Sequence, residues 1–299
     1  MLQFDFVAPR SLDEAIHQLH QRDASGKVLA GGTDLLLQLK AHTFKPSFLL
    51  DLSRISELSR LEYLPGRGLW IGSMVRLRTI QQSKIVSDHS EIVVDGAKLV
   101  GSVQIRNLAT IGGNLCNAAP SADVAPPLIA AGAYAEILGS GGHRSIALED
   151  FFAGPRRTVL VPGEILLGVR IPDSDAPKGG HYLRHTPRQE MDIAVVGVGA
   201  TVTLERGRCQ SARIVLGAVA PTPIRAKLAE RSLIGQELSL DVVREAARIA
   251  ADEARPIDDV RGSATYRRHL VDVLTQRAVS IAWNRCKGYC ATTSEGSVA

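Results

Sequence analysis

The stretch Lys27 to Lys40, KVLAGGTDLLLQLK, sets the reading of the whole chain. A short apolar run (Val28, Leu29, Ala30) ends in two glycines, and the polar pair Thr33 and Asp34 then opens a leucine-rich run at helical spacing. The pattern predicts a strand, a tight loop and a helix start. Gly31 and Gly32 have no Cβ, so a ligand can lie against their backbone. The helix that follows would aim its unpaired N–H groups and the positive end of its dipole at that loop, where a phosphate can sit. A plain glycine turn with Thr33 or Asp34 as an ordinary N-cap accounts for the same residues.

A second stretch, Thr110 to Asp123 (TIGGNLCNAAPSAD), again places Gly-Gly before short polar residues. Two such loops, each offering backbone N–H groups to a pyrophosphate as an anion nest, could hold one extended dinucleotide from both sides. Neither is the G-x-G-x-x-G turn of a nicotinamide-binding βαβ unit.

These residues carry a resemblance. AGGTDLL (Ala30 to Leu36) and SVQIRNLATIGGNLCNAAPSADVAPPLIAAGA (Ser102 to Ala133) are similar to the FAD-binding medium subunit of molybdenum hydroxylases, the xanthine dehydrogenase and carbon monoxide dehydrogenase family. EILLGVRIP (Glu164 to Pro172) and MDIAVVGVGA (Met191 to Ala200) match in the order expected, so the likeness runs over roughly residues 1 to 285. It implies an α+β fold: a two-lobed FAD-binding domain, with a small βαβ-like lobe and a larger mixed α/β lobe, then a C-terminal sheet-plus-helices domain. It maps a first FAD contact segment onto Val28, Leu29, Ala30, Gly31, Gly32, Thr33, Asp34 and Leu35, and a second onto Ala109, Thr110, Gly113, Asn114 and Asp123. Leu166 falls where the family packs an apolar side chain near the flavin. Arg184 stands where several members carry a lysine near the ring system.

Composition fits a soluble protein with a packed core. The chain has 299 residues, 45% hydrophobic and 22% charged, with a net charge of +4 spread along its length. Aromatics are scarce at 4%, against base-stacking platforms, and no nucleic-acid partner is expected. The four cysteines, Cys116, Cys209, Cys286 and Cys290, form no ferredoxin-like run, and no cysteine-rich insertion for a 4Fe–4S cluster is present. Iron–sulfur clusters would therefore reside on another chain. With no signal pattern at MLQFDFVAPRS and no membrane span, a cytoplasmic location is expected.

Along the chain, Ser11 and Glu14 read as a capping box ahead of an amphipathic helix. Strand 27–30, helix 34–40 and strand 48–51 form the small lobe. Strand 69–72, helices 77–82 and 90–100, a loop carrying TIGGN, a helix at 124–131, and strands 133–138, 145–148 and 164–171 form the larger one. Arg106 near the second loop reads as a phosphate contact or as an exposed or ion-paired residue. Asp123 reads as an N-cap or as an acceptor for ribose or ribityl hydroxyls, the role the resemblance favours. The turn-rich PDSDAPKGG (Pro172 to Gly180) is taken as the boundary, giving 1–174 (lobes of about 1–55 and 56–174) and 178–286. Strands 181–186, 193–205 and 212–219 and helices 224–233, 239–254 and 263–286 follow, then a disordered tail, 287–299.

No acid/base, nucleophile or cluster constellation is evident, so a bound flavin would carry the redox step. The resemblance implies a large molybdenum-cofactor subunit and a small 2Fe–2S subunit as partners, non-covalent FAD here, and reoxidation by an external electron acceptor. A self-contained FAD-dependent oxidase or reductase is the alternative; Cys116 and His185 are conceivable covalent anchors for it. A flavin-free scaffold relative is a third reading.

Overall fold

The computed structural model describes residues 3–22, 25–174, 178–188 and 190–295, with side chains through residue 288. Strands β1 (Asp5–Val7), β2 (Lys27–Leu29) and β3 (Phe48–Asp51), with helices α1 (Leu12–Gln21) and α2 (Leu35–Lys40), build the first lobe. Its sheet is parallel in the order β1-β3-β2. The Ser11 hydroxyl accepts from the Glu14 amide at 3.2 Å, while the Glu14 carboxylate reaches back to the Arg10 amide at 2.8 Å. The cap forms as the sequence predicts, its return arm one residue further out. Ala15, Phe48, Leu50, Ile55 and Leu58 are the core of this lobe.

The second lobe holds strands β4 (Leu61–Leu64), β5 (Gly68–Gly72), β6 (Tyr134–Gly139), β7 (Gly142–Ala147), the two-stranded ribbon β8 (Phe152–Gly154) and β9 (Arg157–Thr158), and β10 (Ile165–Ile171). Helices α3 (Leu77–Gln82), α4 (Lys84–Ala97), α5 (Val103–Leu108), α6 (Ile111–Asn117) and α7 (Ala125–Ala131) lie between them. The five-stranded sheet is antiparallel in the order β4-β5-β10-β6-β7. Two sequence expectations change here. Helix α4 starts six residues earlier than residue 90, because it is broken at Ser90 (φ −160°, ψ 67°) and only its second half carries the apolar stripe. TIGGN is the first turn of α6 rather than a loop. Two helical glycines each cost about 1 kcal/mol of propensity, but the Thr110 hydroxyl caps the turn by accepting from the Gly113 amide at 3.1 Å. The Gly112 amide also reaches the Ser73 carbonyl at 2.8 Å.

The rest of the chain is an antiparallel sheet of β11 (Lys178–His185), β12 (Val196–Glu205), β13 (Arg208–Gly217) and β14 (Ile224–Arg225), covered by α8 (Lys227–Leu233), α9 (Leu240–Glu253) and α10 (Ala264–Glu295). Val271, Ala278, Ala282 and Cys286 are fully buried along α10 and fix it against β11 and β12. The helix runs to Glu295, past the start of the tail expected at 287, because adding residues to a formed helix costs little and no proline stops it. Residues 296–299, and 175–177 of the boundary loop, lie outside the described residues, as does the side chain of Cys290.

The two units are joined by charge and close backbone contact. Asp95 on α4 is buried and accepts from His181 of β11 at 2.5 Å, Arg285 of α10 at 2.8 Å and Lys98 at 2.7 Å. Thr201 of β12 donates to the Ala130 carbonyl of α7 at 2.8 Å. Among the described residues, no helix is long and apolar enough to cross a membrane, and no group of three or more His, Cys, Asp or Glu could hold a metal ion.

Candidate functional site

A cavity of about 690 Å³ opens where the two lobes and the C-terminal unit meet. That lies in the range of about 300 to 1,000 Å³ usual for ligand pockets. Both glycine stretches line it, with the residues after β5, the start of β10 and Met191 to Ile193.

Of the fifteen residues expected at the site, Val28, Ala30, Gly31, Gly32, Thr33, Asp34, Leu35, Ala109, Thr110, Gly113, Asn114, Asp123 and Leu166 line the cavity. Leu29 and Arg184 do not. Leu29 turns beneath the loop, its Cδ1 3.3 Å from where a Cβ on Gly32 would stand. Arg184 pairs with Asp123 and reaches the cavity only through it.

The glycines divide the work differently from a pair of matching anion nests. Gly31 lets the two stretches touch: a Cβ there would stand 2.1 Å from the Leu108 carbonyl oxygen. Gly32 sits at φ +74°, which turns the chain from β2 toward α2. The amides of Gly31, Gly32, Thr33 and Asp34 donate no hydrogen bond to the described residues and border the cavity. Those of α6 are spent: Ile111 donates to Val75 O at 3.0 Å, Gly112 to Ser73 O, Gly113 to Thr110 Oγ1 and Asn114 to Thr110 O at 3.0 Å. Open amides in the second stretch come later, at Ser121 and Asp123. Since no lining residue is a lysine, arginine or histidine, a pyrophosphate would be held by these oriented amides.

Two side chains in the wall are incomplete without a ligand. The buried Asn114 Oδ1 and Ser73 Oγ have no hydrogen-bond partner, and an orphaned buried polar atom is costly unless something fills the site. These orphans and the open amides suit a polar, extended ligand such as a flavin dinucleotide.

Asp123 is the most deeply buried of the four acidic residues in the wall, with Asp34, Glu164 and Asp192. Its oxygens accept from the Tyr182 hydroxyl at 2.9 Å and from the Arg184 guanidinium. Burial pushes its carboxyl up to about 6 while Arg184 and Tyr182 hold it down, so it is a carboxylate at neutral pH. The N-cap reading fails: Val124 caps α7, without a side-chain bond. Arg106 is neither exposed nor ion-paired; its guanidinium is spent on Val100 O at 2.9 Å and Gln81 Oε1 at 3.0 Å. Cys116 lines the cavity and is exposed to it; desolvation by the protein crowded around the thiol pushes it up to about 12, which disfavours a thiolate anchor. His185 packs on Tyr266 outside the lining.

Sequence reading missed Ser73 and Met74, Val100, Gly101 and Ile105, Glu164 and Met191 to Ile193 in the lining. Glu164 had a signal, since it opens the EILL segment. It takes two hydrogen bonds of 2.7 Å from Arg144 and one of 2.9 Å from the Val161 amide, which hold its carboxyl below the usual range. Met191 to Ile193 open the MDIAVVGVGA segment, which carries the resemblance but is assigned no ligand contact by it.

Comparison with known proteins agrees with this geometry. Residues 2–174 match the family described as the FAD binding domain in molybdopterin dehydrogenase, and residues 181–282 match the CO dehydrogenase flavoprotein C-terminal domain. The chain is 32% identical to the xanthine dehydrogenase FAD-binding subunit of Escherichia coli O157:H7, covering 93% of this chain and 97% of that one. It is 31% identical to the carbon monoxide dehydrogenase medium chain of Hydrogenophaga pseudoflava, covering 95% and 98%. The solved carbon monoxide dehydrogenase of H. pseudoflava superposes with a TM-score of 0.91 at 32% identity over 95% of this chain and 98% of that chain. Quinoline 2-oxidoreductase from Pseudomonas putida 86 superposes with a TM-score of 0.87 at 31% identity, over 96% and 98%. The chain belongs to the FAD-binding subunits of the molybdenum hydroxylases, and is an oxidoreductase subunit of that family.

Proposed function

We propose that this chain is the electron-transfer flavoprotein of a molybdenum hydroxylase complex, receiving electrons from 2Fe–2S clusters on a small partner subunit and delivering them to an external acceptor. The observation that carries the reading is the cavity itself: open amides at Gly31 to Asp34 on one side, the orphaned Asn114 on the other. The large partner would hold the molybdenum cofactor and the substrate. We take residues 1–174 as the unit that binds FAD and 178–286 as the unit that closes the site.

Bound FAD supplies the exchange between one-electron and two-electron chemistry. The chain's own residues bind, orient and shield it. The amides of Gly31 to Asp34 would hold the pyrophosphate, Asn114 and the accepting carboxylate of Asp123 would meet hydroxyls of the sugar-alcohol portion, and Leu166, buried on β10, would offer the ring an apolar contact that excludes water. Cys116 is the one thiol among the described lining residues and is disfavoured as a thiolate, so we take the FAD to be held without a covalent bond.

Acid precipitation of the purified chain tests this directly. All yellow colour should pass to the supernatant, at one FAD per chain; colour kept in the washed pellet would contradict non-covalent binding.

A further inference from the structure

Resting on the FAD reading of the cavity, we infer that Tyr182 and Arg184 are positioning residues that act on the ligand only through Asp123, by fixing its orientation and cancelling its charge. Asp123 lines the cavity; Tyr182 and Arg184 do not. One Asp123 oxygen accepts from the Tyr182 hydroxyl at 2.9 Å and the other pairs with Arg184. All three are withdrawn from solvent, with side-chain exposures of 5% for Arg184 and 9% for Asp123, and Tyr182 only 2% exposed.

The arrangement is built by strand geometry. Tyr182 and Arg184 are two apart on β11, so they leave the strand on one face. Register places Arg184 opposite Gly197 on β12, where a Cβ would stand 2.5 Å from the Tyr182 hydroxyl. Glycine at 197 therefore makes the room in which the tyrosine points at Asp123. The C-terminal unit thus reaches a residue of the FAD-binding unit at the cavity wall, and each Asp123 oxygen keeps an acceptor direction free for the ligand.

Charge sets the consequence. The lining carries no cation, so an unpaired Asp123 would repel an anionic dinucleotide and oppose the negative charge gained on reduction. With Arg184 behind it, Asp123 is presented as an oriented acceptor whose own charge is balanced, in a wall that Asp34, Glu164 and Asp192 also line.

The test uses the full-length chain loaded with FAD, measuring FAD affinity by flavin fluorescence and the two-electron midpoint potential by dye equilibration. Arg184→Gln should weaken FAD binding at least about tenfold and lower the potential. Asp123→Asn should raise the potential, because the remaining arginine is then unopposed. Arg184→Lys should restore both readouts toward wild type, and Tyr182→Phe should weaken binding severalfold while leaving the potential in place. If Arg184→Gln does not fold, the rise in Asp123→Asn and the rescue in Arg184→Lys carry the same test. Shifts of the same sign in Arg184→Gln and Asp123→Asn, or unchanged FAD affinity in Arg184→Gln, would overturn the positioning role alone. A wild-type chain that binds no FAD would overturn the FAD reading, and this inference with it.

Discussion

At the scale of single residues, neighbouring glycines have different reasons to be glycine. Gly31 faces the Leu108 carbonyl, so Gly31→Ala puts a methyl 2.1 Å from an oxygen that belongs to backbone and cannot swing aside. Overpacking of that kind costs about 1–3 kcal/mol or more, so the thermal midpoint should fall even without ligand. Gly113 has only Thr110 Oγ1 at 3.1 Å and Ala30 Cβ at 3.6 Å near that point, in the cavity wall. Gly113→Val should therefore keep a folded circular dichroism spectrum and lose FAD; full flavin occupancy would show that the ligand does not approach there. Asn114→Leu separates the two effects further. Replacing the orphaned amide oxygen removes a buried unsatisfied group, so the empty chain should hold or gain stability in urea while FAD affinity drops about tenfold. The two Gly-Gly pairs are legible in the sequence because composition alone marks them. Which glycine meets protein and which meets ligand is not, since Leu108 and Ala30 are brought there by tertiary packing.

At the scale of elements, the βαβ lobe, the capped α1 and the strands β5 and β10 follow from local patterns that the sequence states openly. The second glycine stretch was misjudged because glycine's weak propensity argues for a loop, while the Thr110 cap and the Val75 and Ser73 carbonyls impose a helix. The α4–β11–α10 junction is equally hidden, since Asp95 and Arg285 are 190 residues apart. His181, Arg285 and Lys98 hydrogen-bond the Asp95 carboxylate and outweigh the cost of its burial, holding its pKa well below the usual carboxylate range. A carboxyl depressed on folding contributes stability that is present above its unfolded pKa of about 3.9 and is lost as pH falls toward its folded value. Asp95→Ala should cost about 3–5 kcal/mol at neutral pH, because it leaves His181 and Lys98 without their acceptor and Arg285 with Glu91 as its remaining carboxylate partner. Urea melts of wild type and variant should converge as the pH is lowered below about 4; a constant gap would show that packing, rather than charge, holds the junction.

At the scale of the whole molecule, the chain reads as one part of a larger machine. Leu36, Leu37, Val103, Leu108, Met191 and Ile193, on or beside segments that line the cavity, are 44–64% exposed. Permanent interfaces commonly bury more than about 2,000 Å² and are more apolar than ordinary surface. Expressed alone, the chain should self-associate in sedimentation; expressed with the large and small subunits proposed for it, it should co-purify with them in equal amounts. The missing cysteine run and the family resemblance point to this dependence, and the glycine stretches to the ligand. Electrons should pass from the partner subunits to this flavin, and rapid mixing tests that direction most directly. Chemically reduced partner subunits added to the FAD-loaded chain should bleach the flavin absorption, whereas the complex's substrate added to the FAD-loaded chain alone should leave it unchanged. Bleaching of the isolated chain by substrate, or no bleaching by the reduced partners, would contradict the account.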